Sequence, residues 1–228
     1  MDSQPLDIAP LFRAVALALS ERRVELNRMD SYNGNHGDHM VEIFEIATRA
    51  AGRIRPENLA AAMANAAQQL REQTHNGSAQ IYASGLEQFS QQLQKYQIGL
   101  DDLVFYVRSI LAEKKDNPGT PGKEISSGGK AGVILKVLVS GLSGWQQAES
   151  GDSTGSQTGL DMGYLFELGM VYMQAKRRSD RKIDVLADAA VSASPLSQVP
   201  YRSDSGRLAM RALLQALAAW QDPLMHQE

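Results

Sequence analysis

From Leu6 to Met29 the apolar side chains of Leu11, Val15, Ala18, Leu19 and Leu26 return at helical spacing, with Arg22 in the same series. Asp7 is placed to cap this helix, and Pro10 falls in its first turns. The same period recurs along the chain, and between the periodic stretches lie turns of Asn, Gly, Ser and Asp. Helical stripes can be buried only by laying helix on helix, so the pattern predicts an all-α protein. Helices are expected over 41–51, ending at Gly52, and over 57–73, opened by Pro56 and Glu57. Further ones are expected over 79–96, from Asp101 or Asp102 through Leu111, over 183–194 and over 208–220. The run 133–142 is apolar on nearly all sides and is assigned to a buried helix, because a lone strand would have no partner. A further helix covers 160–178. The total is about eight helices and no sheet.

Two polar segments, 116–132 and 146–159, are rich in Gly, Pro and Ser and read as flexible loops. Neither side of them holds enough helices for a core of its own, so 1–228 is assigned to one domain. With no cysteine among 228 residues, disulfides, thiolate metal sites and cysteine nucleophiles are excluded. A net charge of −3 gives no basic footprint for nucleic acid. No apolar run approaches the roughly 18 residues of a membrane span, and the first residues lack a signal-peptide pattern. The expectation is a cytoplasmic protein that engages neither nucleic acid nor membrane.

One stretch stands apart. Met29 to Met40, MDSYNGNHGDHM, gathers Asp30, Asn33, Asn35, His36, Asp38 and His39 around Gly34 and Gly37. Carboxylate, amide and imidazole groups hold metal ions or phosphates, and glycine lets backbone approach a ligand closely. A plain polar turn has a similar composition. A second glycine turn, His75-Asn76-Gly77-Ser78, and a third, 200–206, follow downstream, so three of the four histidines lie in the first two turns. The Gly-rich segments are not a phosphate-binding loop of the Walker type, because Gly122-Lys123 is followed by Glu124 and Gly129-Lys130 by Ala131.

Taken in order, these stretches resemble the dihydroxyacetone kinase L-subunit family. Met29-Asp30 and Gly34 match the start of its metal loop, and Gly37-Asp38-His39 match its Gly-Asp-His. Asn35 stands in place of the middle aspartate, and one inserted residue brings in His36. Asn76 to Ala83 is the looser counterpart of the family's second, glycine-serine loop. Met173-Gln174-Ala175-Lys176 with Arg177-Arg178, followed by Asp204-Ser205-Gly206, parallels its C-terminal part. Val133 and Ile134 stand where the family has Thr-Met.

The resemblance implies antiparallel helices closed into a bundle or barrel with ligand loops at one end. It implies Mg²⁺, one or two ions, on Asp30, Asn35 and Asp38, and the phosphates of ADP or ATP on His39, Gly77, Ser78 and Arg178. Adenine would lie against Val133 and Ile134, with His36, His75 and Asp204 as further candidate contacts. The activity implied is phosphorylation of a small hydroxy-ketone or polyol held by a separate K-type subunit, and a homo-oligomer is compatible with it. The alternative is a non-catalytic binding or regulatory relative.

Overall fold

The structure, a computed structural model, describes residues 7–112, 182–192 and 194–220. Among them are eight α-helices, one 3₁₀ turn and no strand, so the all-α expectation holds. The segments 116–132, 133–142, 146–159 and 160–178 lie outside the described residues.

The Oδ1 atom of Asp7 accepts the Ala9 amide at 2.9 Å, and α1 (Ala9–Glu21) carries its proline in the first turn. Leu11, Val15 and Leu19 recur four residues apart and are almost fully buried, with Phe12 and Ala16 beside them. The single helix expected to run to Met29 is broken. Arg22 leaves helical geometry (φ −106°, ψ 8°) and donates its amide to Leu19 O at 3.1 Å, after which α2 (Arg23–Met29) begins. Leu26 stays buried on the far side of the break, which is why the apolar period passes through it unmarked.

The next helix starts earlier than its apolar stripe. α3 (His36–Ala51) opens five residues before Val41, so half of the ligand-rich stretch is helix rather than loop. The cause lies in α2: the Asn27 amide oxygen accepts the Asp38 N–H at 3.2 Å and its nitrogen donates to Asp38 Oδ2 at 2.9 Å. A side chain from the preceding helix thus does the work of an N-cap. α3 ends at Gly52, as its sequence predicts.

In α4 (Leu59–Gln73) the Asn58 side chain accepts the Ala61 N–H at 3.0 Å, a normal cap two residues after the expected Pro56-Glu57 opening. α5 (Gly77–Tyr96) is capped by Asn76 in the same way and ends at Gln97, which takes the left-handed conformation (φ 52°). Buried Ala62, Ala66, Ala79 and Ala83 let α4 and α5 lie close together, and Ser90 Oγ donates across the contact to Ala60 O at 2.7 Å. An Arg71–Glu87 ion pair spans the same helices at the surface. α6 (Leu100–Ala112) starts one residue before the aspartates expected to open it, and Asp102 Oδ2 accepts the Gly99 N–H at 3.1 Å.

After α7 (Lys182–Ser192) and a 3₁₀ turn (Pro195–Gln198) comes α8 (Pro200–Ala219). Residues 200–206, expected as a turn, are its first two turns. Pro200 sits at the first helical position, where its missing N–H costs nothing, and Ser203 N–H bonds Val199 O at 2.9 Å. Gly206 is there for packing: a β-carbon on it would meet Leu196 Cδ1 at 3.0 Å and Val191 Cγ2 at 3.4 Å.

α1 packs against α3 and α8, α3 against α4, α4 against α5, and α8 also against α6 and α7. Phe44 of α3 joins the layers, its ring 6.3 Å from Phe12 of α1 and edge-on to Tyr82 of α5 at 5.4 Å. Among the described residues no helix is long and apolar enough to cross a membrane.

Candidate functional site

A cavity of about 570 Å³ is lined by Asp30, Tyr32, Asn33, His36 and His39, by Asn76, Gly77 and Ser78, and by Tyr201 and Arg202. Its walls come from the turn between α2 and α3 and from the first turns of α3, α5 and α8. Three stretches far apart in sequence are therefore brought together at the amino-terminal ends of three helices. The first amides of a helix have no carbonyl partner within it, and the aligned peptide dipoles add partial positive charge there.

Asp30 closes α2 and organises the turn. Its Oδ1 accepts the Tyr32 N–H at 3.1 Å, and the side chain is only 5% exposed. Burial pushes its carboxyl pKa up. The backbone N–H groups of Tyr32, Asn33 and Asn35, with His36 nearby, outweigh that and hold it below the ordinary value, so the group stays ionised. Gly34 (φ +68°) turns the chain towards α3 in a conformation that side chains other than glycine adopt at a cost. Tyr32 is 91% exposed at the mouth of the cavity.

His36 is 2% exposed and faces α8, with Nε2 2.8 Å from Ser205 Oγ and its ring edge-on to Tyr201 at 4.7 Å. Ser205 Oγ also donates to Arg202 O at 3.1 Å. A hydroxyl has one proton, so when it serves that carbonyl, His36 Nε2 carries the hydrogen of the His36–Ser205 bond. Burial lowers the His36 pKa to about 4, with the Arg202 and His39 charges acting in the same sense and Asp30 opposing. The ring is neutral at pH 7. An imidazole bonded to a hydroxyl is the pairing that activates a serine, but Ser205 has 0% exposure, which no nucleophile can use. The His36–Ser205 pair is a polar strut joining α3 to α8.

Arg202 is the cation of the cavity. Its guanidinium lies by the start of α5, where a β-carbon on Gly77 would sit 3.3 Å from Nη2, and its Cζ is 5.8 Å from the centre of the Tyr201 ring. Its Nε is buried and has no hydrogen-bond partner among the described residues. Arg202 and Tyr201 are not among the residues that the sequence points to, because Pro200 to Gly206 reads as a turn. The proline ahead of an arginine at a helix start was the available signal.

Of the residues proposed from sequence, Asp30, His36, His39, Gly77 and Ser78 line one cavity. Asp38 does not. It is turned towards α2, bonded to Asn27 and paired with Arg23 at 3.5 Å, half exposed. Asn35 stands at the start of α3 with its Oδ1 buried and unbonded among the described residues. His75 is exposed outside the cavity. Asp204 pairs with Arg207, which also reaches Asp188 of α7. Arg178, Val133 and Ile134 lie outside the described residues.

Magnesium takes hard oxygen donors, and two adjacent ions need several carboxylates to offset their repulsion. Among the described residues that line it, the cavity has one carboxylate, Asp30, already bonded within its own turn. Among the described residues no three His, Asp or Glu side chains gather in a way that could hold a metal ion. The donor set of the described residues therefore does not fit a two-magnesium clamp. In comparisons with protein-family models, with curated proteins and with solved structures, nothing matches this chain.

Proposed function

We propose that this chain binds the phosphate groups of a nucleotide, ADP or ATP, in the cavity between the starts of α3, α5 and α8. The observation that carries the reading is the convergence of three helix amino-termini with the Arg202 guanidinium on one cavity. Free amides at helix starts and a guanidinium fork are the groups that recognise phosphate. The volume, about 570 Å³, is in the range of small-molecule and cofactor sites. His39, Gly77 and Ser78, which the family resemblance assigns to phosphate, line it as well.

The wider proposal follows the dihydroxyacetone kinase L-subunit resemblance: a closed helical barrel with its ligand loops at one end, in a cytoplasmic protein. In the kinase form of this reading, the chain would work with a K-type subunit, and Asp30, Asn35 and Asp38 would be the residues to hold magnesium, whose positive charge would offset the negative charge of the phosphates. The second form, a non-catalytic binding or regulatory relative, is favoured by a specific observation. Asp38 is held by Asn27 and Arg23 away from the cavity, and Asn35 carries no charge. We therefore adopt nucleotide-phosphate binding without phosphoryl transfer as the conclusion.

Calorimetric titration tests it. ADP is expected to release or absorb heat on binding, whereas adenosine, lacking phosphates, gives none. No heat from ADP up to millimolar concentration, with or without magnesium, overturns the reading. Transfer from ATP to dihydroxyacetone in the presence of a K-type subunit would restore the kinase form.

A further inference from the structure

The phosphate site contains its own counter-charge. We infer that Arg202, with the amides that open α5, neutralises the bound phosphate directly, so that the cavity takes its anionic ligand without a divalent cation. This rests on the nucleotide-phosphate reading of the cavity.

Three observations carry it. The first is the position of Arg202. Its guanidinium lies at the start of α5, where a β-carbon at residue 77 would sit 3.3 Å from Nη2. The side chain lines the cavity, and a guanidinium fork is a group that recognises the oxygens of an anion. The nearest aromatic group, Tyr201, holds the guanidinium from one side without using its donors.

The second observation is that Asp30 and Asp38, the carboxylates of the described turn between α2 and α3, are committed elsewhere. Asp30 shares the cavity, but its Oδ1 accepts the Tyr32 amide, and the charge is met within the turn. Asp38 has both a hydrogen bond to Asn27 and an ion pair with Arg23. Freeing its carboxylate for a metal would break both of those side-chain contacts.

The third concerns His36. Buried, neutral and bonded to Ser205, it fixes the first turns of α3 and α8 against one another. Arg202 is therefore carried on a helix start that is braced against the opposite wall of the site. A preorganised cation of this kind does for a phosphate what a bound metal does in a more acidic pocket.

The test is calorimetric titration of the full-length chain with ADP, in buffer containing EDTA and in buffer containing magnesium. The affinities are expected to agree within about twofold. Arg202→Gln is expected to weaken binding on the order of tenfold to a hundredfold in both buffers, the range for a lost charged hydrogen bond, with Arg202→Lys in between. Binding that appears in magnesium and vanishes in EDTA overturns the inference while leaving the nucleotide reading intact. Wild-type affinity in a folded Arg202→Gln variant overturns it too. Absence of ADP binding in both buffers removes the nucleotide reading and this inference together. The EDTA comparison uses only the wild-type chain, so it decides the matter even where a substitution disturbs folding.

Discussion

A β-carbon added at Gly37 would fall well inside contact distance of the Arg23 carbonyl oxygen and 2.9 Å from Asn27 Oδ1. One of those neighbours is backbone, so α2 and α3 would have to part. Gly37→Ala is expected to cost about 1–3 kcal/mol, the range for overpacking, as read by chemical denaturation. Gly34→Ala meets nothing within 4 Å and carries only the strain of its positive φ, which is expected to cost about 1 kcal/mol. A Gly34 variant less stable than the Gly37 variant would contradict this account of the turn. His36 supplies a pH dependence. Its folded pKa, about 4, lies below its ordinary value near 6.5, so between those values the unfolded chain binds more protons than the folded one. Stability is then expected to be fully present above about pH 6.5 and to fall by roughly 2 kcal/mol as the pH drops towards 4, after allowance for solvent screening at the cavity. His36→Gln keeps a neutral polar side chain and should flatten that part of the profile in denaturation curves. An unchanged slope would place the titrating group elsewhere. Asp30, held below the ordinary carboxylate value, contributes in the same direction at still lower pH.

At the scale of elements, the starts of the helices matter more than their middles. Asn76 accepts the Ala79 N–H at 2.7 Å and donates to Thr74 Oγ1 at 2.7 Å, which leaves the Gly77 and Ser78 amides at the cavity. Asn76→Ala is expected to cost about 1 kcal/mol of stability and to weaken ADP binding, because fraying of α5 removes its aligned amides. Asn58→Ala at the start of α4 removes a similar cap away from the cavity. It should cost a comparable amount in denaturation while leaving the calorimetric affinity unchanged. Equal loss of binding in the two variants would show that affinity follows general stability instead of the α5 start. The caps also explain which boundaries were legible. Asn58 precedes its helix by one residue, so sequence reading came close there. α3 is capped by Asn27 across a turn, and nothing local announces that its helix begins at His36.

For the molecule as a whole, binding in the cavity would be coupled to folding. It is built from the α2–α3 turn and the starts of three helices that meet only in the folded state, so a phosphate ligand would bind the native state alone. At a ligand concentration about a hundredfold above its dissociation constant, stability should rise by about 2.7 kcal/mol, a shift in melting temperature of roughly 5–10 °C. Differential scanning fluorimetry with ADP in EDTA measures this directly. Loss of the shift in Arg202→Gln, with the unliganded melting temperature little changed, is the expected companion result.

The helical period of Leu11, Val15 and Leu19 and its recurrence along the chain were enough to predict an all-α fold. The residue types of Met29 to Met40 marked where chemistry was to be sought. These are local properties: amphipathic spacing and glycine-rich polarity are written in consecutive residues. Which of those residues act together was decided by the tertiary structure. Packing on α2 turns Asp38 away from the cavity, burial against Ser205 makes His36 neutral, and the early start of α8 delivers Arg202 to a site that its own neighbourhood in sequence does not reveal. Capping and charge compensation depend on partners far apart in the chain, and only folding brings those partners within hydrogen-bond reach.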